Sequence, residues 1–529
     1  MSFLNYSDND NQSFSNNEST LVPLGDEFED DDAAWIMACI FIIFTMQTGF
    51  ALMESGMCSL KNEVSTMIKN MIDVGIAGFV FWAFGYGIIY GESQYTTPFL
   101  GIGKFFFAPN AHKHGSGEEY LRFFMHCSYI ANSNTIISGA MAERTNIKAY
   151  ILYCFVNAIL YCFPANWVWG KYGWLKQLGA IDVAGSGVVY GMGGFSALAG
   201  ALWLKPRLGR NRSRGTYILG NAKNSLTGLF MIWWAFLALN SVSTFGVTED
   251  KWMFSAKATV NTIISSFGGG FASLSFSLIF FCGHVNVPLI SNCVFGSLVA
   301  ISGSSVLLST MQSFIVGIIS AHITFITMMI VEKSCLDDPC GAFSIHGLNG
   351  IWGLLSTGIF ADRTRAPIEL RKYNGLLSGE SYLLGIQVLT SFVIIIWSFL
   401  TTYLVLWLLN KVVPVRMNVI DELLGADYSD HNILHQGLNI ERAVDILKNF
   451  DDIATDLDST GQNLGHMMYL ENVYGKGMKQ KNRSESRALT RIFNVDVSSK
   501  DVIDYKKSHN CSHKRPPRVA ESGGFGRLK

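Results

Sequence analysis

Asp182-Val-Ala-Gly-Ser-Gly-Val-Val-Tyr190-Gly191-Met-Gly-Gly194 and Asp338-Pro-Cys-Gly-Ala-Phe-Ser-Ile-His346-Gly347-Leu-Asn-Gly350 are one pattern written twice. Asp, the aromatic position and the glycines recur at a constant offset of 156 (338 − 182, 346 − 190, 350 − 194), and Leu198 pairs with Leu354 in the same register. That constancy is the mark of an internal duplication. Each copy runs into an apolar helix. Duplicated halves of a membrane protein commonly build one substrate path at their interface, with polar groups near mid-depth. A histidine such as His346 in an apolar helix is costly unless it faces a cavity or a partner. The pattern therefore points to a transporter or channel.

Working outward, 15% of the 529 residues are charged, against roughly 25% in a soluble domain. Hydrophobic residues make up 49%, and the mean hydropathy is +0.26. Apolar windows of bilayer length, about 20 residues, begin near Ala34, Met71, Phe123, Ala149, Gly187, Leu219, Ala258, Val287, Phe314, Phe343 and Leu383. These predict about eleven transmembrane helices in an all-α integral membrane protein. The net charge of −1 hides a segregated distribution and gives no sign of a nucleic-acid partner. Basic density first appears at Lys205, Arg207, Arg210, Arg212 and Arg214, after the fifth window, and the positive-inside rule assigns that loop to the cytosol. Counting back puts the acidic amino terminus outside, with sequons at Asn5, Asn11 and Asn17 that a chance match in an Asn/Ser-rich tail explains equally well. An odd number of spans then leaves the carboxyl terminus in the cytosol. No basic-then-apolar leader opens the chain.

The expected organisation is an extracellular tail over 1–33, a membrane domain over 34–410 and a cytosolic regulatory tail over 411–529. Within the tail only Ile440, Ala443, Val444 and Leu447 show amphipathic helical spacing. Ten scattered cysteines without a CxxC pair, among them Cys335 and Cys340 in a loop expected to be cytosolic, argue against a structural metal. No cofactor is expected. Neither an activated nucleophile nor a phosphate loop is recognisable, so an enzyme is disfavoured.

Several stretches together resemble the ammonium transporters of the Amt/Mep/Rh superfamily. They are Gly49 to Gly56 (GFALMESG), Lys61-Asn62, Ile68-Lys69-Asn70 running on to Phe84–Gly87, Ser138 to Arg144 (SGAMAER), Val168–Gly170 (VWG), Asp182 to Val189, and Asp337 to Gly347. The resemblance extends from about residue 34 to about 430. It implies two inverted five-helix repeats plus a final long helix, a homotrimer with one pore per subunit in the plasma membrane, and ammonium/ammonia as the transported species.

The resemblance also implies site residues. NH4+ is expensive to strip of water unless acceptors and an aromatic face replace its shell. The family's outer-mouth tryptophan and serine match Trp169 and Ser243. Taken alone, Trp169 reads as an interfacial belt residue. Asp182, at the head of a helix, is expected to cap backbone N–H groups and supply a negative field. Where the family stacks two phenylalanines as a gate, this chain has Met125 and Tyr129, opposed by Leu239, with Phe236 in place of a nearby tryptophan. His126, adjacent to Met125, is expected off the pore face, since neighbouring helical positions point about 100° apart. His346 matches one of the family's two mid-pore histidines, but the other position is Tyr190. A phenol ionises only near pH 10 or so and is a poor proton carrier. Tyr190 and His346 form the expected mid-pore pair, in which the Tyr190 hydroxyl is able to donate to or accept from the His346 imidazole. Gly425, Asp427, Ser429 and His431 resemble the motif by which the family's tail docks on a neighbouring subunit, with Asn432 and Ile433 departing from it.

Three functions stay open on these grounds: transmembrane ammonium transport, a neutral NH3/CO2 gas channel of the Rh type, and an ammonium sensor with little flux.

Overall fold

A computed structural model describes residues 28–110, 115–207, 219–334, 336–367 and 370–433. The amino-terminal sequons, Arg210, Arg212, Arg214, Cys335 and the Ile440–Leu447 stretch lie outside the described residues. Eleven long helices follow one another. They are α1 (Asp30–Met57), α2 (Leu60–Tyr90), α3 (Ser116–Met141), α4 (Ile147–Trp169), α5 (Ser186–Leu204), α6 (Ala222–Val242), α7 (Lys251–Phe280), α8 (Val287–Ile301), α9 (Thr310–Lys333), α10 (Phe343–Gly347 continuing as Leu348–Phe360) and α11 (Tyr382–Leu409). Among the described residues there is no sheet, only two isolated bridges. Each of the eleven apolar windows falls on one helix. Eight of the helices are long and apolar enough to cross a membrane, whereas α8 is shorter. In α3 the hydropathy is diluted by the buried Asn132, Ser133, Asn134, Thr135 and Ser138. Asn146, Asn221, Asn286 and Ser309 cap α4, α6, α8 and α9 through their side chains, ending each preceding loop where the sequence offers an acceptor.

The duplication is visible as a crossing. A Cβ on Gly194 would overlap the backbone of Gly347, and one on Gly350 would overlap the backbone of Gly191. Adding 156 to Gly194 gives Gly350, and subtracting 156 from Gly347 gives Gly191, so the two contacts are one contact repeated. Small residues are what let α5 and α10 pack backbone to backbone. The first helices of the two halves, α1 and α6, meet in the same manner, with Gly49 and Gly56 against α6 and Gly228 against the backbone of Gly49 and Met53. By contrast α7 and α11 present exposed side chains such as Phe271 (66%) and Phe392 (61%), the composition of a lipid-facing surface.

Polar contacts sort the helix ends into two groups. At one end Asp32 of α1 pairs with Lys251 of α7 at 2.7 Å, and the Phe28 N–H donates to Glu118 of α3 at 2.8 Å. At the other end Arg207 bridges Glu143 (2.5 Å) and Asp337 (2.8 Å), while Glu143 also accepts from Ser59. Burial opposes ionisation of Glu143, but the Arg207 guanidinium and the Ser59 donors hold its carboxyl below the ordinary range. Asp182 opens α5 at the first end and Asp338 opens α10 at the second, so the two repeats run in opposite senses. The architecture is two inverted five-helix repeats followed by α11.

The described residues after Asn410, 411–433, stay bound at the second end. Two short helices, α12 (Val419–Leu424) and α13 (Ala426–His431), follow, and Arg416 pairs with Glu422 at 2.9 Å while donating to the carbonyls of Leu204 and Pro206. Asp427 accepts from the N–H groups of Val64 (3.1 Å) and Ser65 (2.6 Å), capping the start of α2 in its own chain.

Gly194→Ala is expected to cost about 1–3 kcal/mol by forcing α5 and α10 apart, seen as a lower unfolding temperature of the detergent-solubilised protein. Gly75→Ala, where an added Cβ meets nothing within 4 Å, is the matched control and should leave it unchanged. Equal shifts in both variants would remove the crossing as the cause.

Candidate functional site

Both repeats break their fifth helix in one manner. The Asp182 carboxylate accepts from the N–H groups of Gly185 (3.1 Å), Gly187 (2.9 Å) and Val188 (2.9 Å), and Asp338 accepts from Ala342 (3.0 Å) and Phe343 (2.8 Å). Three residues after each aspartate a glycine takes positive φ, +86° at Gly185 and +72° at Gly341, a turn that a side chain would strain. Asp182 is thus the expected cap. Its backbone carbonyl also accepts from the Trp169 indole N–H at 2.9 Å, which fixes the ring at the start of α5.

Around Trp169 an aromatic mouth assembles. Tyr129 lies 5.7 Å from the indole and His126 5.3 Å from it, centroid to centroid. Tyr129 Oη and Ser243 Oγ are 2.9 Å apart, and since the Ser243 hydroxyl donates to the Leu239 carbonyl (2.8 Å), the phenol is the donor. The structure thus joins the proposed gate residue Tyr129 directly to the proposed recruitment residue Ser243. Met125 and Leu239 are buried close by in sequence on the same two helices. His126 corrects the expectation that it stands aside. It shares a helix face with Tyr129, three positions on, rather than with Met125, and its Nε2 bonds the Tyr90 hydroxyl at 2.6 Å. The i, i+3 spacing was the signal available in the sequence.

Deeper in, Tyr190 and His346 are brought together. Their rings stack with centroids 5.7 Å apart and planes 16° apart. The Tyr190 hydroxyl points instead at Met46 Sδ, 3.6 Å away, and His346 Nδ1 has no hydrogen-bond partner. No hydrogen bond joins Tyr190 to His346, because parallel rings direct the hydroxyl past the imidazole. Phe236, expected among the gate residues, stacks on Tyr190 with centroids 5.2 Å apart. Phe295 meets His346 edge to face at 4.7 Å, and Phe50 lies 5.8 Å from it. Two residues that the sequence reading left out thus complete the aromatic enclosure.

Ionisable groups inside the spans were also missed. Glu54 of α1 accepts from Asn70 (2.8 Å) and from Ser138, and Asn70 Oδ1 accepts from Thr135 (2.7 Å). Thr135, Asn134 and Tyr150 in turn donate to Asp73 at 3.3, 3.3 and 2.5 Å. The signal was plain in principle, since an acidic residue in an apolar window is a candidate functional group. His284 and His322 lie elsewhere, His322 against Phe276. Among the described residues no cluster of His, Cys, Asp and Glu has the make-up of a metal site.

With this geometry in view, the comparisons are consistent with one another. The family model described as Ammonium Transporter Family matches residues 34–434. A Caenorhabditis elegans relative is 34% identical over 439 residues, covering 81% of this chain, and the chain spans 63% of that relative's length. The ammonium transporter Amt2 of Archaeoglobus fulgidus is 32% identical over 76% of this chain and 87% of its own. A solved structure, the Sensor Amt Protein, superposes with a TM-score of 0.69 at 28% identity, over 76% of this chain and 98% of that one. The chain belongs to the ammonium transporter family, whose members are membrane transport proteins and not enzymes.

Proposed function

We propose that this protein carries ammonium/ammonia across the membrane through one narrow pore per chain. The observation that carries the reading is the mouth. Trp169, Tyr129 and His126 form a three-ring cluster with the Ser243 hydroxyl at its edge and the Asp182 backbone carbonyl holding the indole N–H. Aromatic faces attract a desolvated cation by about 0.5–2 kcal/mol each, and the hydroxyls accept its N–H groups. Past Leu239, the Phe236–Tyr190–His346 stack closes the way to a hydrated ion. Transfer there has to use the small, weakly solvated form of the substrate or a molecule passing between rings. With stacked rather than bonded rings, Tyr190 and His346 offer no direct hydrogen bond along which a proton could hop.

Orientation, assembly and location belong to the same reading. The Lys205–Arg207 end and the segment after α11 lie together, which puts that segment on the side of the basic loop; with the positive-inside rule the reading is a cytosolic carboxyl terminus and an extracellular amino terminus, in a protein assigned to the plasma membrane. The exposed apolar faces of α7 and α11 support contact with membrane lipid and with sister subunits in a homotrimer. The tail from residue 411 is read as regulatory, anchored by Asp427 on α2.

Voltage-clamp currents measured with labelled substrate uptake in the same cells test the function directly. About one charge per molecule identifies electrogenic ammonium transport, flux without current a gas channel, and binding without either a sensor. Trp169→Leu is expected to raise half-saturation several-fold. An unaltered concentration dependence in well-expressed protein would reduce Trp169 to a belt residue.

Topology is checked by tags. One inserted between Arg207 and Arg214 should be reached by antibody only after permeabilisation, and one before Pro23 on intact cells. Access from the same side would break the eleven-span count.

Tyr190→Phe preserves the stack and loses only a weak sulfur contact, so flux should stay within about two-fold of the parent. Tyr190→Ala removes the ring that covers His346 and should change flux strongly. Loss of transport in a well-folded Tyr190→Phe would give the hydroxyl a role that the stacking does not.

A further inference from the structure

Beside His346 lies a cavity of ≈ 20 Å³. That is room for one water-sized molecule, and ammonia and ammonium are of that size. Apolar walls come from Phe50, Phe295 and Ile345, and the polar atoms from Glu54, Cys340 and His346. The Cys340 thiol is engaged with the Glu54 backbone carbonyl at 3.8 Å. Glu54 and His346, 5% and 3% exposed, are then the polar side chains with capacity left for a guest. His346 Nδ1 is buried without a partner. Both hydrogen bonds to the Glu54 carboxylate, from Asn70 and Ser138, fall on Oε2, which leaves Oε1 without a protein donor among the described residues.

We propose that Glu54 is a further substrate-binding group of the pore, its carboxylate accepting N–H hydrogen bonds from one ammonium or ammonia molecule held in the cavity against His346. The assignment rests on the ammonium reading above and adds a station to it. Its chemistry follows from what surrounds the carboxylate. Neutral amide and hydroxyl groups hold it, and among the described residues no Lys or Arg forms an ion pair with it, whereas the buried Glu143 and Asp337 at this end are paired with Arg207. A buried carboxylate with neutral donors on one oxygen and none on the other suits a small cationic or N–H-donating guest. The mouth has no comparable carboxylate facing its rings, because both oxygens of Asp182 are taken up by the backbone of α5. Glu54 therefore supplies on the far side of the aromatic stack a carboxyl acceptor, where the near side offers aromatic faces and hydroxyls.

The test is ammonium-induced infrared difference spectroscopy on the full-length protein in lipid, with sodium chloride as reference, paired with ammonium currents from the same variants. In the parent protein, ammonium should produce a carboxyl difference band that Glu54→Gln abolishes, Glu54→Asp shifts and Asp73→Asn leaves in place. Half-saturation should rise about ten-fold in Glu54→Gln and recover in part in Glu54→Asp, which keeps the charge should the Gln variant fail to fold. A band that survives Glu54→Gln, or one that Glu54→Asp does not move, overturns the proposal. So do normal parental currents with no band at all. A Glu54-dependent band without flux or current would leave the site standing and bring down the transport reading instead.

Discussion

Lipid offers no hydrogen bonds, so every helix broken inside a membrane has to satisfy its own exposed backbone. Here that constraint is met twice by one device, a buried aspartate followed three residues later by a glycine at positive φ. Asp182 and Asp338 take up the first N–H groups of α5 and α10 and allow both to start within the bundle. Much else depends on this. Because each helix can begin deep, Gly191, Gly194, Gly347 and Gly350 meet at a backbone-to-backbone crossing, and that crossing places Tyr190 and His346 at equivalent positions on either side of it. The same Asp182 segment, through its carbonyl, aims Trp169 at the mouth.

The polar and apolar parts of the path are correspondingly separated. At the mouth, polar atoms are attached to rings: the phenol of Tyr129, the imidazole of His126 and the indole of Trp169 surround Ser243. In the middle, Tyr190, Phe295 and Phe50 enclose one imidazole, and Phe236 stacks on Tyr190. A charge is most costly in that middle section, where it would face ring edges and no water. This chain does not provide the bonded pair of imidazoles that would serve as a proton relay there.

The repeat, the eleven spans and the caps were legible in the sequence because each is a local or periodic signal. Composition over about 20 residues reports a span, a fixed offset of 156 reports a duplication, and an acid ahead of a glycine-rich turn reports a cap. Side-chain direction was less accessible. His126 was judged against its neighbour Met125, although its face is set by Tyr129, and Tyr190 was paired with His346 because both can make a hydrogen bond, without the ring orientation that decides it. Phe50 and Phe295 come from helices whose sequence carries no sign of mutual contact. The Asp427 cap on α2 spans more than three hundred positions of chain, and no pattern within either segment announces it. Glu54 was hidden in plain view, absorbed into a motif as a marker of family instead of being read as an acid in a membrane.

Besides the aspartates that cap helix starts, buried acids here are held either by a cation or by neutral donors, and the difference between their partners bears on what each can do. Glu143 and Asp337 are neutralised by the Arg207 guanidinium, and such a pair, once desolvated, is held because separating it strands both charges. That arrangement suits a fastening between loops at the helix ends. Glu54 and Asp73 are held by Asn70, Ser138, Thr135, Asn134 and Tyr150, neutral donors that orient a carboxyl without cancelling its charge. An acid kept this way retains an unspent affinity for protons and cations, and keeping it in lipid is expensive enough that packing alone gives no reason for it. The contrast separates the acids that tie the chain together from Glu54, the one proposed to receive something that passes through it.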